Sequence, residues 1–276
     1  MKIKNNLITH FNLKEGHLTI PKTVVGFDET IEGLRMISSI KSITVEEGNP
    51  VYHAQGNCLI ETATKTLVLS SDNSVIPDNG SVTTIGVDAF CMRAAVKTLN
   101  LPDAIETIEA RAFNATGIQD VVLPPSITNI GPLAFMNCKD LKRIFLPSNI
   151  QEIGNGAFCG DYLNACEFVL DESNPTHRVE NGCIIERATN KLVAAPLNAI
   201  IPEGVLSIGR LTFFGMWHCT EIYIPASVAE FEDDDYLGHP FMLCGGVHSS
   251  NLTIKSPKGS CAIKFAKNSN IKYIEL

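Results

Sequence analysis

The chain has 276 residues, 45% of them hydrophobic and 19% charged, and its 22 Lys and Arg against 30 Asp and Glu give a net charge of −8. That hydrophobic fraction excludes a disordered or fibrous chain, and the acidic balance argues against a general nucleic-acid or anionic-membrane binder, which needs basic patches. No run of about 18 apolar residues occurs, the length a membrane-crossing helix requires, so no membrane insertion is expected.

In chain order, residues 1–20 carry Lys2, Lys4, His10, Lys14, Glu15 and His17 and no apolar core for a signal peptide. As written the chain reads as cytosolic, and as secreted or surface-borne if a leader has been trimmed from it; its localisation stays open. Residues 1–36 are expected to form a degenerate capping coil, because Ile20-Pro21 begins a unit whose later signature is missing. That signature, Ile-x-x-x-Ala-Phe, appears at Ile85 to Phe90, Ile108 to Phe113, Ile130 to Phe135 and Ile153 to Phe158, with a Thr212 variant at Ile208 to Phe213. The first four Phe positions step by 23, 22 and 23. Ahead of most copies lies a short apolar run closed by Pro, as in Leu141 to Pro147. The last apolar residues of these runs form a ladder of registers: Ile20, Val45, Ile76, Leu101, Leu123, Leu146, Leu170, Ile201, Ile224 and Ile254.

Two long steps in that ladder share one cause. Asn49-Pro50, Cys58 to Glu61 and Leu67-Val68 are matched at Asn174-Pro175, Cys183 to Glu186 and Leu192-Val193, always 125 residues on. A block of repeats is therefore duplicated, and each copy is expected to hold a β-hairpin inserted into one coil. Residues 232–248 read as a loop insertion with an acidic run. In the tail, Ser260 to Asn268 places Ala262, Phe265 and Ala266 on one side of a short helix, within a cap over 258–276.

Each unit begins with a strand of period two, so Ile144 and Leu146 point one way and Arg143 and Phe145 the other. Pro ends the strand, and Gly86, Gly131, Gly154 and Gly209 are expected to permit the bend into a single helical turn carrying Ala-Phe. A unit of roughly 20 to 30 residues has no private core and becomes stable only by stacking on its neighbours. Parallel strands roughly 4.8 Å apart would make ten registers a curved rod on the order of 45 Å long. One repeat array is expected over 1–276.

The pattern Leu-x-x-Ile-x-Leu-Pro-x-x-Ile-x-x-Ile-Gly-x-x-Ala-Phe, as in Leu141 to Phe158, resembles the BspA-like leucine-rich repeat family. The segments 174–193 and 259–273 are similar to that family's irregular repeats and C-terminal cap. The resemblance implies an α/β fold leaning mostly to β. It would be a right-handed leucine-rich-repeat solenoid with short parallel strands, one-turn helices, two hairpin insertions and a C-terminal helical cap. It also implies a module that binds proteins, often on microbial surfaces, rather than an enzyme.

Candidate chemistry is sparse. The nine Cys lack C-x-x-C pairs; Cys138, Cys219 and Cys244 close Ala-Phe turns and Cys91 and Cys159 follow the Phe, which reads as reduced core thiols. His239, Cys244 and His248 near Asp233, Asp234 and Asp235 supply metal-ligating types without ligand spacing, so no metal and no cofactor is expected. No nucleophile elbow, phosphate loop, dinucleotide fingerprint or zincin motif occurs, and no catalytic residue is assigned. One surface can be mapped. Just before the register residues, Val122, Phe145, Val169, Ile200 and Tyr223 form five consecutive apolar or aromatic outward positions. Two residues further back, Asp120, Arg143, Glu167 and Glu221 form a polar column. An apolar stripe with a polar rim fits a protein-binding face, although β-branched and aromatic residues also simply suit strands. The expected function is a non-catalytic protein-interaction module, scaffold-like or adhesin-like, using this strand face. Its partner and oligomeric state are open. The alternatives are a metal-dependent hydrolase or metal sensor built on 232–248, and a purely structural spacer.

Overall fold

A computed structural model of the chain describes all residues except 11–12, 14, 29–39, 161–165, 198, 217, 234–240, 244–246 and 249–251. The chain opens with an antiparallel pair, β1 (Lys2–Lys4) and β2 (Leu7–His10), turned by Asn5 and Asn6 at φ of 52° and 62°. Next come β3 (His17–Ile20), β4 (Gly26–Phe27) and β5 (Ser42–Val45); β4 extends β2 and β3 pairs β5, both in parallel. The strands β6 (Tyr52–Gln55), β7 (Cys58–Glu61) and β8 (Thr66–Ser70) make an antiparallel meander, and β8 passes in parallel to β9 (Thr84–Ile85).

The regular coils then supply β10 (Thr107–Ile108), β11 (Asp120–Val122), β12 (Asn129–Ile130), β13 (Arg143–Leu146), β14 (Glu152–Ile153) and β15 (Glu167–Leu170). They divide between two parallel stacks, β9-β10-β12-β14 and β11-β13-β15. A second meander, β16 (His177–Glu180), β17 (Cys183–Glu186) and β18 (Lys191–Ala194), repeats the first. The remaining elements are β19 (Ser207–Ile208), β20 (Glu221–Tyr223), β21 (Glu230–Phe231), β22 (Met242–Leu243), β23 (Val247–His248), β24 (Thr253–Ser256), α1 (Cys261–Asn268) and β25 (Lys272–Glu275). Here β18-β19-β21 and β20-β24-β25 form two further parallel stacks in separate sheets. The architecture is a mostly β solenoid, with α1 the one helix among the described residues.

Stacking of equivalent side chains builds the core, because alternate strand residues of each coil point inward and meet those of the next. Phe90, Phe113, Phe135 and Phe158 form a column with ring centroids 5.2, 5.2 and 5.5 Å apart. Offset-stacked rings at this separation add to the area they bury. The inserted segments have three strands each, not the two expected. Both meanders are buried on their two faces: Cys58 and Ile60 join the core of the regular coils, while Leu59 and Leu69 join the core below β3 and β5. In the second copy, Ile184 faces the regular coils, and Cys183 and Ile185 face the C-terminal core. Burial on both sides explains why Cys-Leu-Ile and Cys-Ile-Ile are unbroken apolar runs. Asn49 and Asn174 fasten the meanders. The Asn174 amide donates to Ser148 O and Ile150 O at 2.9 Å each, and its Oδ1 accepts from Thr176 N and His177 N at 2.9 and 2.7 Å. Asn49 makes the equivalent bonds.

The Ala-Phe segments correct the expected helical turn. The N–H groups of Asp88, Phe90 and Met92 donate to Ala110, Ala112 and Asn114 of the next coil, while those of Ala89, Cys91 and Arg93 reach back three residues. Two residues four apart in each turn are left-handed: Asp88 and Met92 at 59° and 61°, Arg111 and Ala115 at 55° each, Leu133 and Asn137 at 58° and 57°. Every second N–H thus leaves its own turn for the next coil, which a helix does not allow. The glycines are also needed for a different reason. Gly86, Gly131 and Gly154 do not have positive φ; a Cβ there would lie 2.8, 2.6 and 2.4 Å from atoms of the preceding coil. They permit close approach rather than a bend.

The expected strand ladder is also interrupted. Ile76, Leu101 and Ile201 are buried but lie outside any strand. At Ile76 the cause is the first meander, which leaves no room for an Ala-Phe turn; Val75 N donates to Gly56 O of the meander instead. The C-terminal cap follows the expectation. The Ser260 hydroxyl accepts from Ile263 N, Ala262 and Ala266 are buried, and the Phe265 ring stacks 4.1 Å from Phe231. The added strand β25 pairs along β24.

Candidate functional site

The β11-β13-β15 face carries most of the mapped positions. Parallel pairing sets Asp120, Arg143 and Glu167 in one row and Val122, Phe145 and Val169 in the next. Alternation turns both rows outward while Val121, Ile144 and Phe168 are buried. Val122 is 63% exposed and Phe145 36%. Arg143 lies over the Phe145 ring at 5.7 Å and pairs with Glu167 at 2.5 Å, so the guanidinium covers part of the aromatic face. Ile200 is exposed but on no strand, and Tyr223 is half-buried on β20 of a separate sheet, its hydroxyl donating to Glu203 at 3.4 Å. Glu221 pairs with Lys255 at 2.6 Å. The five-member stripe is thus brought together only over Val122, Phe145 and Val169.

The chain holds a groove that the sequence did not disclose. Where β14 should hand on to β18, as β10 does to β12, the second meander intervenes and the stack stops. A cavity of about 570 Å³ opens there, bounded by β10, β12 and β14 on one side and by His177, Glu186, Lys191 and Val193 on the other. The first copy differs. Phe27 and Ile153 each lie seven residues after their register residue, and His177 corresponds to Tyr52. The Phe27 and Tyr52 rings pack at 5.7 Å, whereas the second copy places the smaller Ile153 and His177 at these positions. The one sequence signal for the groove is this pair of substitutions within otherwise matched blocks.

Three carboxylates and one ammonium line the groove: Glu109, Glu152, Glu186 and Lys191. Each carboxylate is fixed through Oε2, Glu109 by Val87 N and Glu152 by Asn129 Nδ2, both at 2.9 Å, and Glu186 by the Thr189 hydroxyl. Their Oε1 atoms have no partner among the described residues. Lys191 lies 3.8 Å from Glu186 and 3.8 Å from Glu232. His177 is buried, its Nδ1 2.8 Å from the Thr176 hydroxyl, and loss of hydration holds its pKa below the ordinary imidazole range against the opposing pull of Glu186.

Cysteine chemistry is muted. Burial pushes Cys138, Cys166 and Cys183 up to about 12 and Cys58 to about 11, so these four thiols are protonated and poor nucleophiles at neutral pH. No cluster of three metal-ligating side chains occurs among the described residues, and no helix among them is long and apolar enough to cross a membrane. Asp234, Asp235, His239 and Cys244 of the 232–248 insertion lie outside the described residues.

Comparison with known proteins places residues 69–174 in a BspA type leucine rich repeat region, in six copies. No curated protein matches the chain. Similar solved structures include the following three. A leucine-rich repeat protein from Eubacterium ventriosum has 14% identity and TM-score 0.39, covering 87% of this chain and 50% of that one. The pneumococcal vaccine antigen PcpA has 16% identity and TM-score 0.35, covering 94% and 56%. A leucine rich cell surface protein from Faecalibacterium prausnitzii has 14% identity and TM-score 0.42, covering 94% and 78%. The chain thus spans half the length of the first and little more of the second.

Proposed function

We propose that this chain, a BspA-type leucine-rich repeat protein through residues 69–174, is a non-catalytic scaffold that binds a protein partner on its strand-lined face. The observation that carries this reading is the in-register patch of Val122, Phe145 and Val169 beside Asp120, Arg143 and Glu167. Apolar side chains with a charged rim suit a protein partner, which desolvates the centre and leaves the rim wet. Ile200, Tyr223 and Glu221 belong to a second, separate part of the face. The absence of catalysis is inferred from the fixed structural roles of the repeat residues, including protonated, buried thiols.

Val122→Asp with Phe145→Asp tests the face, because both side chains point outward and the strand pairing does not use them. The expected result is loss of a partner captured by the parent protein, at an unchanged melting temperature. A partner retained by the folded double variant would contradict the reading.

A further inference from the structure

In the regular coils every short second strand gives its carbonyls to the next coil: Glu106 O and Ile108 O accept from Thr128 N and Gly131 N, and Thr128 O and Ile130 O from Gln151 N and Gly154 N. At β14 the series ends. Gln151 O and Ile153 O accept no hydrogen bond among the described residues, and β14 is the terminal strand of its sheet. These carbonyls border the groove, where the Oε1 atoms of Glu109, Glu152 and Glu186 are also open acceptors and Lys191 is the one cationic side chain among the charged lining residues. The site is rich in acceptors and net negative.

We propose that the groove binds an extended peptide segment carrying a Lys or Arg side chain, which adds to β14 as a parallel strand. Two peptide N–H groups, two residues apart, donate to Gln151 O and Ile153 O, as Glu152 N and Gly154 N do to Thr128 O and Ile130 O at 3.2 and 2.7 Å. The basic side chain, carried by the first of the two donating residues, lies opposite Glu152 in this parallel register and meets Glu152 and Glu186. Strand addition supplies affinity through the main chain, and the pocket selects the side chain. Charge-assisted bonds to carboxylates already fixed through one oxygen require little reordering on binding. The occupant is limited to a few residues, because β14 is two residues long and the cavity is about 570 Å³. This surface is separate from the β11-β13-β15 face, so the inference does not depend on the function proposed for that face.

The test is calorimetric titration of the full chain with two capped peptides, Thr-Lys-Val-Thr-Thr and Thr-Glu-Val-Thr-Thr. A third carries the Lys sequence with the N–H groups of its Lys and of the residue two after it methylated. The Lys peptide is expected to bind, and the Glu and methylated peptides to bind about tenfold more weakly or not at all, the loss of one good charged or hydrogen-bonded contact. In the protein, Glu152→Gln with Glu186→Gln is expected to weaken the Lys peptide. Ile153→Phe with His177→Tyr, which restores the first copy's ring pair, is expected to abolish its binding at an undiminished melting temperature. The Phe145→Asp variant is expected to bind it as the parent does. No binding of the Lys peptide, equal binding of the Glu peptide, or indifference to the ring pair would overturn the proposal. Indifference to N-methylation would overturn the strand addition.

Discussion

Single residues carry the junctions where the repeat is broken. Arg93 is 1% exposed, and its guanidinium donates to Ser70 O at 2.9 and 3.2 Å, with Asp72 as its electrostatic counterweight. It completes the coil that the first meander leaves without a regular turn. His177 does comparable work at the second meander, and its titration is testable. Thr176, Arg187, Glu186 and Lys191 surround it, and burial is the dominant effect, lowering its pKa in the folded chain. The unfolded chain therefore binds a proton that the folded chain refuses. The stability from neutral His177 is complete above the ordinary value of 6.5 and is lost as pH falls through the folded value. Melting temperatures between about pH 7.5 and about pH 5 should fall more for the parent than for His177→Tyr. An identical fall in both would show that the imidazole does not titrate between the two states.

At the scale of the element, the Ala-Phe turn is the least helix-like part of a sequence that reads as a helical turn. Its period and its glycines were legible. Whether a glycine serves φ or space was not, because both demands select the same residue. The two cases separate under mutation. Gly131→Ala places a methyl 2.6 Å from the Ala110 backbone N and should destabilise by about 1–3 kcal/mol, as overpacking does. Ala115, left-handed at 55°, should accept Gly with stability unchanged or raised by up to about 1 kcal/mol. Thermal unfolding of both variants decides this, and equal destabilisation would return the bend to Gly131. The first strand of each meander was hidden for another reason. Tyr52-His53-Ala54-Gln55 and His177-Arg178-Val179-Glu180 lack an apolar alternation and are held by backbone pairing and by Asn49 or Asn174.

Across the whole molecule, the duplicated block sets the plan. The meanders partition the strand core, with one part before the first, one between the two and one after the second, while a small cluster of Met136, Cys159, Leu211 and Phe214 bridges the coils on either side of the second. The registers and the Phe column were readable because stacking forces the same side chain to the same place in each coil. Of the outward stripe, Val122, Phe145 and Val169 stand side by side as the sequence indicates. Ile200 and Tyr223 do not join them, since the second meander interrupts the stack before Ile200. The groove was not readable, because it results from the absence of a pairing between β14 and β18, and its acceptors are main-chain atoms.

If each coil is stable only through its neighbours, a complete coil can be removed without loss of the rest, whereas half a coil cannot. Deleting 114–135 joins Phe113 to Met136 and keeps every register, since Phe113 and Phe135 are equivalent. Thermal unfolding followed by far-ultraviolet circular dichroism should show that this variant retains a cooperative transition at a lowered midpoint. Deleting 114–124 should abolish the transition. Loss of cooperative unfolding on removing the whole coil, or its survival on removing the half, would contradict the stacking account.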